Sequence, residues 1–109
     1  MNNTPPRLPH VIQILPTISY GDAIGNDCLA IRDCLKEAGY DGDVYAEETD
    51  PRLREHGIDG IKDIKEYQDD ADIIICHVSV RWDYMLTLGE RPGRKIFIYH
   101  NITPPHFFK

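Results

Sequence analysis

The stretch HVIQIL at residues 10–15 decides the fold class. It is short, rich in β-branched residues and closed by Pro16, which is typical of a strand that is covered on both faces of a sheet. Two later stretches have the same character, DIIICH at residues 72–77 and KIFIY at residues 95–99. Strands as apolar as these favour a parallel sheet, because parallel sheets are packed against other elements on both sides.

Helical patterns alternate with these strands. Between Ala23 and Ala38 apolar residues recur at three- and four-residue steps, which predicts one buried helix face, and Gly39 ends the pattern. This predicted face comprises Ile24, Cys28, Ile31, Leu35 and Ala38. A short strand is predicted at residues 44–46, a short helix around Ile61, Ile64 and Tyr67, and a helical segment at residues 82–88.

Alternating strands and helices predict an α/β fold with an open parallel sheet, helices on both faces and a Rossmann-like arrangement. Numbering the four predicted strands along the chain, we expect the order 2-1-3-4. Residues 1–9 contain three prolines and predict a flexible lead-in. A chain of 109 residues has room for one core, so residues 10–109 are predicted to form a single domain.

Charge and composition exclude several classes of function. The formal net charge is −6 and the cations are scattered, so the chain is predicted to bind neither nucleic acid nor an anionic membrane. No stretch resembles a signal peptide or a membrane span, which predicts a cytoplasmic protein. Cys28, Cys34 and Cys76 lack metal-binding spacing and are predicted to be buried apolar side chains; no metal site is expected.

Candidate site residues cluster where the predicted strands end. Ligands of open α/β sheets bind beyond the carboxyl ends of the strands, at the point where strand order reverses. The crevice is therefore expected between the first and third strands, with the end of the fourth strand along the same edge. The residues predicted to line it are Tyr20, Gly21, Asp22 and Asn26 after the first strand, His77 and Ser79 after the third, and His100 and Asn101 after the fourth.

Simpler explanations exist for several of these residues. Either histidine alone is equally well explained by a hydrogen bond to a neighbouring carbonyl, and the placement of two at one sheet edge favours function. Asp22 is also suited to cap the helix that follows it. The loop is not GxGxxG, so a dinucleotide site is not predicted. His10, His56 and His106 are assigned no function.

Four segments together resemble a known family. PTISYGDAIGND, AGYDGDVYAEETDPRL, DIIICHVSV and KIFIYHNITPPHFF are similar, in this order, to the opening of bacterial family-4 glycosyltransferases with the two-domain B-type fold. The resemblance begins near Val11 and runs to the last residue. SYGDAI after the first strand together with YHNITP after the fourth is its most specific part.

The resemblance implies a retaining hexosyltransferase that moves a sugar from a nucleotide-sugar co-substrate to a sugar or lipid-linked acceptor. It implies no cofactor. This chain would be part of the N-terminal, acceptor-side domain. His77 would contact the transferring sugar or the acceptor as the catalytic residue, His100 and Asn101 would line the acceptor pocket, and the loop around Gly21 and Asp22 would face the cleft. The loop lacks the double glycine common elsewhere in the family.

Other parts of the family pattern have no counterpart in the 109 residues. The donor-binding C-terminal domain is missing, so the chain alone is expected to be inactive. The fourth strand would leave an open sheet edge, which predicts self-association through that edge or through exchange of the C-terminal tail. The alternatives are a free-standing flavodoxin-like or receiver-like binding or regulatory module, and a structural domain in which the histidines are incidental.

Overall fold

The computed structural model describes residues 7–78 and 82–100. Its elements, in chain order, are β1 (Val11–Ile18), α1 (Ala23–Glu37), β2 (Asp43–Thr49), α2 (Arg52–Glu55), β3 (Ile61–Asp63), a first 3-10 helix (Ile64–Glu66), β4 (Ile73–Val78), a second 3-10 helix (Asp83–Glu90) and β5 (Arg94–Tyr99).

All five strands form one parallel sheet in the order β3-β2-β1-β4-β5. The predicted α/β class and parallel sheet are therefore confirmed. The predicted strand order, 2-1-3-4, is incomplete because the sheet has a fifth strand. Residues Ile61–Asp63 pair with Val44–Ala46 of β2 as an outer strand, whereas the sequence predicted a helix there. The four strands that the sequence did predict keep their expected neighbours.

β1 continues through Pro16 to Ile18, although the sequence predicted that the proline would end it. Its pairing with β4 covers Val11 to Ile14 only, and its pairing with β2 passes over Pro16 and resumes at Thr17. Proline has no N–H to donate, and it is tolerated in a strand where no neighbour requires that bond. At Pro16 the β4 side of β1 is already unpaired, so the strand can continue.

The two faces of the sheet are covered differently. On one face, α1 and α2 pack on strand residues to form a helix-side cluster, which comprises Leu15, Ile18, Ile24, Cys28, Val44, Ala46 and Leu53. On the other face, side chains from β1, β2 and β4 pack with residues of the two 3-10 helices, including Ile64 and Leu88. Within the described ranges, the second face carries 3-10 helices and no α-helix. The prediction of helices on both faces is thus met only in part.

Helix α1 approaches the sheet most closely at its first turn. A Cβ atom on Gly25 would lie 3.0 Å from the Ser19 carbonyl oxygen and 3.3 Å from Cγ1 of Ile18, so the helix sits this close only because residue 25 has no side chain. Farther along the helix the packing loosens. Cys34 is exposed, which corrects the prediction that all three cysteines are buried. It lies off the apolar face, whereas Cys28 lies on it.

β5 forms one edge of the sheet. The sequence predicted a strand covered on both faces, which is wrong: Ile96 and Phe97 are each 44% exposed and Tyr99 is 76% exposed. Within the described part of the chain, the outer side of β5 has no partner strand.

Parts of the sequence-based predictions lie outside the described residues. Residues 1–6 of the predicted lead-in do so, as do residues 101–109 and with them the predicted exchange of the C-terminal tail. Arg7, the first described residue, has its guanidinium 3.9 Å from the Asp72 carboxylate. No helix in the described part of the chain has the length and hydropathy needed to cross a membrane.

Candidate functional site

The carboxyl ends of β1, β4 and β5 meet at one rim of the sheet, together with the start of α1. This follows from the parallel pairing of the three strands. His77 lies near the end of β4, and His100 follows directly after β5, where its N–H donates to the Val78 carbonyl over 2.8 Å. Ile98 pairs with His77, so His100 lies two residues farther along on the same face of the sheet.

A continuous chain of hydrogen bonds runs from the interior of the domain to this rim. Gln13 of β1 donates through Nε2 to the main-chain carbonyl of Cys28 in α1, over 2.9 Å. The Gln13 Oε1 atom lies 2.7 Å from Nε2 of His77. Nδ1 of His77 lies 2.8 Å from Nε2 of His100, and Nδ1 of His100 lies 3.8 Å from the Asp27 carboxylate.

The carbonyl at the inner end sets the direction of every bond in this chain. A carbonyl only accepts, so the Gln13 amide must present its NH₂ to Cys28 and its oxygen to His77. His77 then donates from Nε2, which leaves Nδ1 as an acceptor in the neutral ring. His100 must donate from Nε2 to that nitrogen. In the neutral form of His100, the Nδ1 lone pair then faces the rim and Asp27.

Burial keeps His77 neutral. Gln13 has no exposed surface and His77 is 1% exposed. Removal from water disfavours the imidazolium, and the neighbouring His100 disfavours it further, while the Asp27 carboxylate opposes both effects. The pKa of His77 is consequently lowered to about 4. At neutral pH the ring carries one hydrogen, on Nε2, as the hydrogen-bond network requires.

The outer end of the chain is more accessible than the inner end. The His100 side chain is 12% exposed and the Asp27 side chain is 66% exposed. At this end a ring nitrogen with a lone pair faces a carboxylate. Such a pair accepts hydrogen bonds from hydroxyl groups.

The loop residues predicted from the sequence do not join this chain. Tyr20 stacks on His56 with ring centroids 3.8 Å apart, and its N–H donates to the Asp50 carboxylate over 3.1 Å. Gly21 has φ +80°, a conformation that favours glycine, and a Cβ there would meet no atom within 4 Å. This part of the loop is therefore fastened to the segment after β2.

Asp22 and Asn26 lie at the first turn of α1. Asp22 is the N-cap residue, but its side chain makes no capping hydrogen bond, so the capping role that the sequence suggested for this side chain is absent. Asn26 is exposed, and its N–H donates to the Asp22 carbonyl over 2.8 Å. The N–H groups of the first turn are thus not bonded by the Asp22 carboxylate. Ser79 and Asn101, the remaining predicted site residues, lie outside the described residues.

Sequence reasoning missed Gln13 of the hydrogen-bonded chain and Asp27, whose carboxylate lies 3.8 Å from the outer end of that chain. Gln13 carried a usable signal, because it is the one amide side chain within the apolar stretch HVIQIL. A long polar side chain in a strand that is buried on both faces requires an interior partner. Asp27 had no comparable signal, since an aspartate in the second turn of an amphipathic helix is normally solvated.

His10 is buried at the opposite end of β1. Its main-chain N–H donates to the Asp72 carboxylate over 2.7 Å, and its Nδ1 lies 2.6 Å from Asp41. These contacts join the start of β1 to the segments before β2 and β4.

A cleft of about 830 Å³ lies on the face of the sheet that carries the 3-10 helices. Trp82 stacks on Tyr84 at its wall, with centroids 5.1 Å apart, and the indole N–H donates to the Glu47 carboxylate over 2.6 Å. The Arg91 guanidinium lies 5.0 Å from the centre of the Tyr84 ring. Neither histidine of the rim lines this cleft. Size alone does not select a site, and we place the candidate site at the rim because the polar groups converge there.

In residues 7–78 and 82–100, no group of three histidine, cysteine or acidic side chains is arranged to hold a metal ion. Comparison with known proteins adds no assignment: no protein-family model matches the chain, and no curated protein or solved structure is significantly similar to it. The geometry of the rim and the sequence resemblance are therefore the observations that bear on the function of this chain.

Proposed function

We propose that this chain forms the acceptor-side wall of a nucleotide-sugar-dependent, retaining glycosyltransferase, in a Rossmann-like domain. The observation that carries the proposal is the pair formed by His100 Nδ1 and the Asp27 carboxylate, 3.8 Å apart at the carboxyl rim of a parallel sheet. Open parallel sheets bind their ligands at this rim. The pair offers two hydrogen-bond acceptors side by side, which suits the hydroxyl groups of a sugar.

Charge favours the acceptor side of the reaction over the donor side. A helix N-terminus attracts anions such as a diphosphate. At the start of α1, however, the carboxylates of Asp22 and Asp27 supply negative charge, and within the described residues neither is paired with a lysine or an arginine. Like charges disfavour a nucleotide diphosphate at this wall and leave a neutral, hydroxyl-rich molecule as the fitting ligand. In this proposal the donor nucleotide is bound by a second domain.

We assign the direct contact with the sugar to His100. Both ring nitrogens of His77 are engaged by Gln13 and His100, and the residue is 1% exposed. A sugar that touched His77 would have to displace one of these bonds. The sequence predicted that His77 makes the catalytic contact. In this proposal His77 does not touch the sugar and acts through its hydrogen bond to His100.

The experiment is a test of sugar binding by the chain as it stands. Saturation-transfer NMR would be recorded with a panel of hexoses, hexosamines and lipid-linked sugars, and with free nucleoside diphosphates as a separate group. We expect signals from one class of sugar and none from the nucleotides. His100→Ala should abolish the sugar signals, and the control variant Gln68→Ala, at an exposed side chain, should retain them. Nucleotide binding without sugar binding, or equal sugar signals in both variants, would refute the proposal.

The cleft beside Trp82 favours a second candidate, a free-standing α/β module that binds a small molecule. Trp82 is the single tryptophan in the chain and lies in the wall of that cleft, so its fluorescence reports on any occupant. Titration with a flavin mononucleotide should leave the fluorescence unchanged if the sugar-transfer proposal holds. Saturable quenching of Trp82 would favour the flavodoxin-like alternative.

The exposed edge at β5 supports the proposal that the chain associates with another copy of itself. An open strand presents unpaired N–H and C=O groups, and here apolar side chains flank them. Pairing of two such edges would bury both. Sedimentation velocity of the chain at high concentration measures this association.

A further inference from the structure

We propose that Gln13 is a positioning residue, which acts through His77 to hold His100 in the tautomer that carries its hydrogen on Nε2 and directs the Nδ1 lone pair to the rim. The inference deepens the proposed function and rests on it for the identity of the ligand alone. The tautomer itself follows from the contacts of the folded chain.

The first step is the orientation of the Gln13 amide. Reversing that amide would place Oε1 2.9 Å from the Cys28 carbonyl oxygen, so that two acceptors would face each other in the interior. Gln13 has no exposed surface, and water therefore offers no substitute partner. The amide has one acceptable orientation, and in that orientation its oxygen faces His77.

The second step transfers this constraint to the two rings. His77 Nε2 must donate to the Gln13 oxygen, which leaves Nδ1 of the neutral ring as the acceptor for His100. If His100 carried its hydrogen on Nδ1 instead, two lone pairs would meet at 2.8 Å. The charged or titratable groups that face His100 are His77 from β4 and Asp27 from α1. Asp27 would by itself favour a hydrogen on Nδ1, so Gln13 acts against its influence.

The consequence is a preformed acceptor. With its hydrogen held inward, His100 offers a lone pair to a ligand hydroxyl without first having to exchange tautomers. If the ring were free to exchange, only part of the population would be competent to accept, and the apparent affinity would fall by that fraction. Gln13 and His77 are both buried, so neither needs to touch the ligand for this effect.

Nitrogen NMR tests the inference directly. Long-range proton–nitrogen spectra of the ¹⁵N-histidine-labelled chain at neutral pH should give His77 and His100 each one protonated nitrogen, Nε2, and one unprotonated nitrogen, Nδ1. A scalar coupling across the hydrogen bond between His100 Nε2 and His77 Nδ1 should accompany them. A hydrogen on Nδ1 of His100, alone or together with one on Nε2, or averaged shifts for its two nitrogens, would overturn the inference.

The role of Gln13 is tested with Gln13→Met, which keeps the length of the side chain and removes both polar atoms. We expect the two nitrogens of His100 to move toward averaged shifts and the cross-bond coupling to be lost. The matched control is Gln68→Met, the same change at an exposed position, which should leave the wild-type spectrum unchanged. A single fixed tautomer in Gln13→Met would overturn the role of Gln13.

Failure of this inference can be told apart from failure of the proposed function. The spectra are recorded without ligand, so a fixed His100 tautomer in a chain that binds no sugar would refute only the proposed function. Sugar binding by a chain with averaged His100 signals would refute only the positioning role. If Gln13→Met does not fold, the wild-type chain still tests the role of Gln13 through the scalar coupling between His77 Nε2 and the Gln13 side-chain carbonyl carbon, across the contact of 2.7 Å, and the absence of that coupling would overturn the role.

Discussion

Lowering the pH is expected to destabilise the folded chain through His77. In the folded state the pKa of this ring is lowered from 6.5 to about 4, first by burial and then by the neighbouring His100. The unfolded chain returns the ring to water and to its ordinary pKa of about 6.5. Between these two values the unfolded state binds more protons, so the stabilising contribution is fully present above pH 6.5 and is lost as the pH falls towards 4.

The size of the effect follows from the same two values. Integrating the difference in bound protons gives a loss of about 2 kcal/mol at about pH 5 and about 3 kcal/mol once the pH is below both values. This is a large share of the stability of a small domain, for which about 5–15 kcal/mol is usual.

Urea denaturation at about pH 8 and about pH 5 measures this loss as a change in the free energy of unfolding. His77→Gln removes the titrating ring, so its decrease between the two conditions should be smaller than that of the wild type by about 2 kcal/mol. His56→Gln removes an exposed ring and should behave as the wild type does. The reasoning would be refuted if all three proteins lost the same free energy of unfolding on acidification.

Three further predictions concern the packing and the open edge. Gly25→Ala should lower the free energy of unfolding by about 1–3 kcal/mol, because the new methyl group would lie 3.0 Å from the Ser19 carbonyl oxygen. In Gly89→Ala the new methyl group would meet no atom within 4 Å, so the free energy of unfolding should change by less than about 0.5 kcal/mol. Equal urea midpoints for the two variants would contradict this. Leu53→Ala truncates a side chain that is 1% exposed in the helix-side cluster, so it should lower the free energy of unfolding by about 2–5 kcal/mol in the same assay. A smaller loss would mean that α2 does not pack against the sheet through Leu53. In sedimentation velocity the wild-type chain should self-associate, and Phe97→Lys on β5 should be a monomer. A wild-type chain that is monomeric at high concentration would contradict the proposed association.

The parallel sheet could be predicted from the sequence because its strands are written as apolar stretches. Residues 10–15, 72–77 and 95–99 each contain a run that is suited to burial on both faces, and the structure pairs all three. Once the strands are parallel, their carboxyl ends must meet at one rim. The proximity of His77 and His100 was therefore accessible without coordinates.

Two features of the fold were not accessible in this way. β3 has three residues, IKD, and two of them are exposed. So short a strand is recognised by its pairing with β2, which no local pattern encodes. The 3-10 helices were predicted as ordinary helical segments, because a run of eight residues or fewer does not separate the two periods.

The hydrogen-bonded chain at the rim illustrates a different limit. Gln13 lies in β1, His77 in β4 and His100 directly after β5, so the members are far apart in sequence. The inner end of the chain of bonds is a main-chain carbonyl, which every residue has and which the sequence therefore does not mark. Periodicity places the side chains on a face and near an edge. It does not give the direction of the bonds between them, and that direction determines which nitrogen of His100 is available.

Anchoring the chain of bonds to the backbone also has a consequence for sequence change. Every substitution at position 28 retains the main-chain oxygen that accepts from the Gln13 amide. Any small apolar residue that preserves α1 can therefore replace Cys28, and the hydrogens on the two histidine rings keep their positions. Position 13 has no such freedom, since it must supply a donor and an acceptor at once. Among related chains, variation at residue 28 together with constancy at residue 13 would be the signature left by this arrangement.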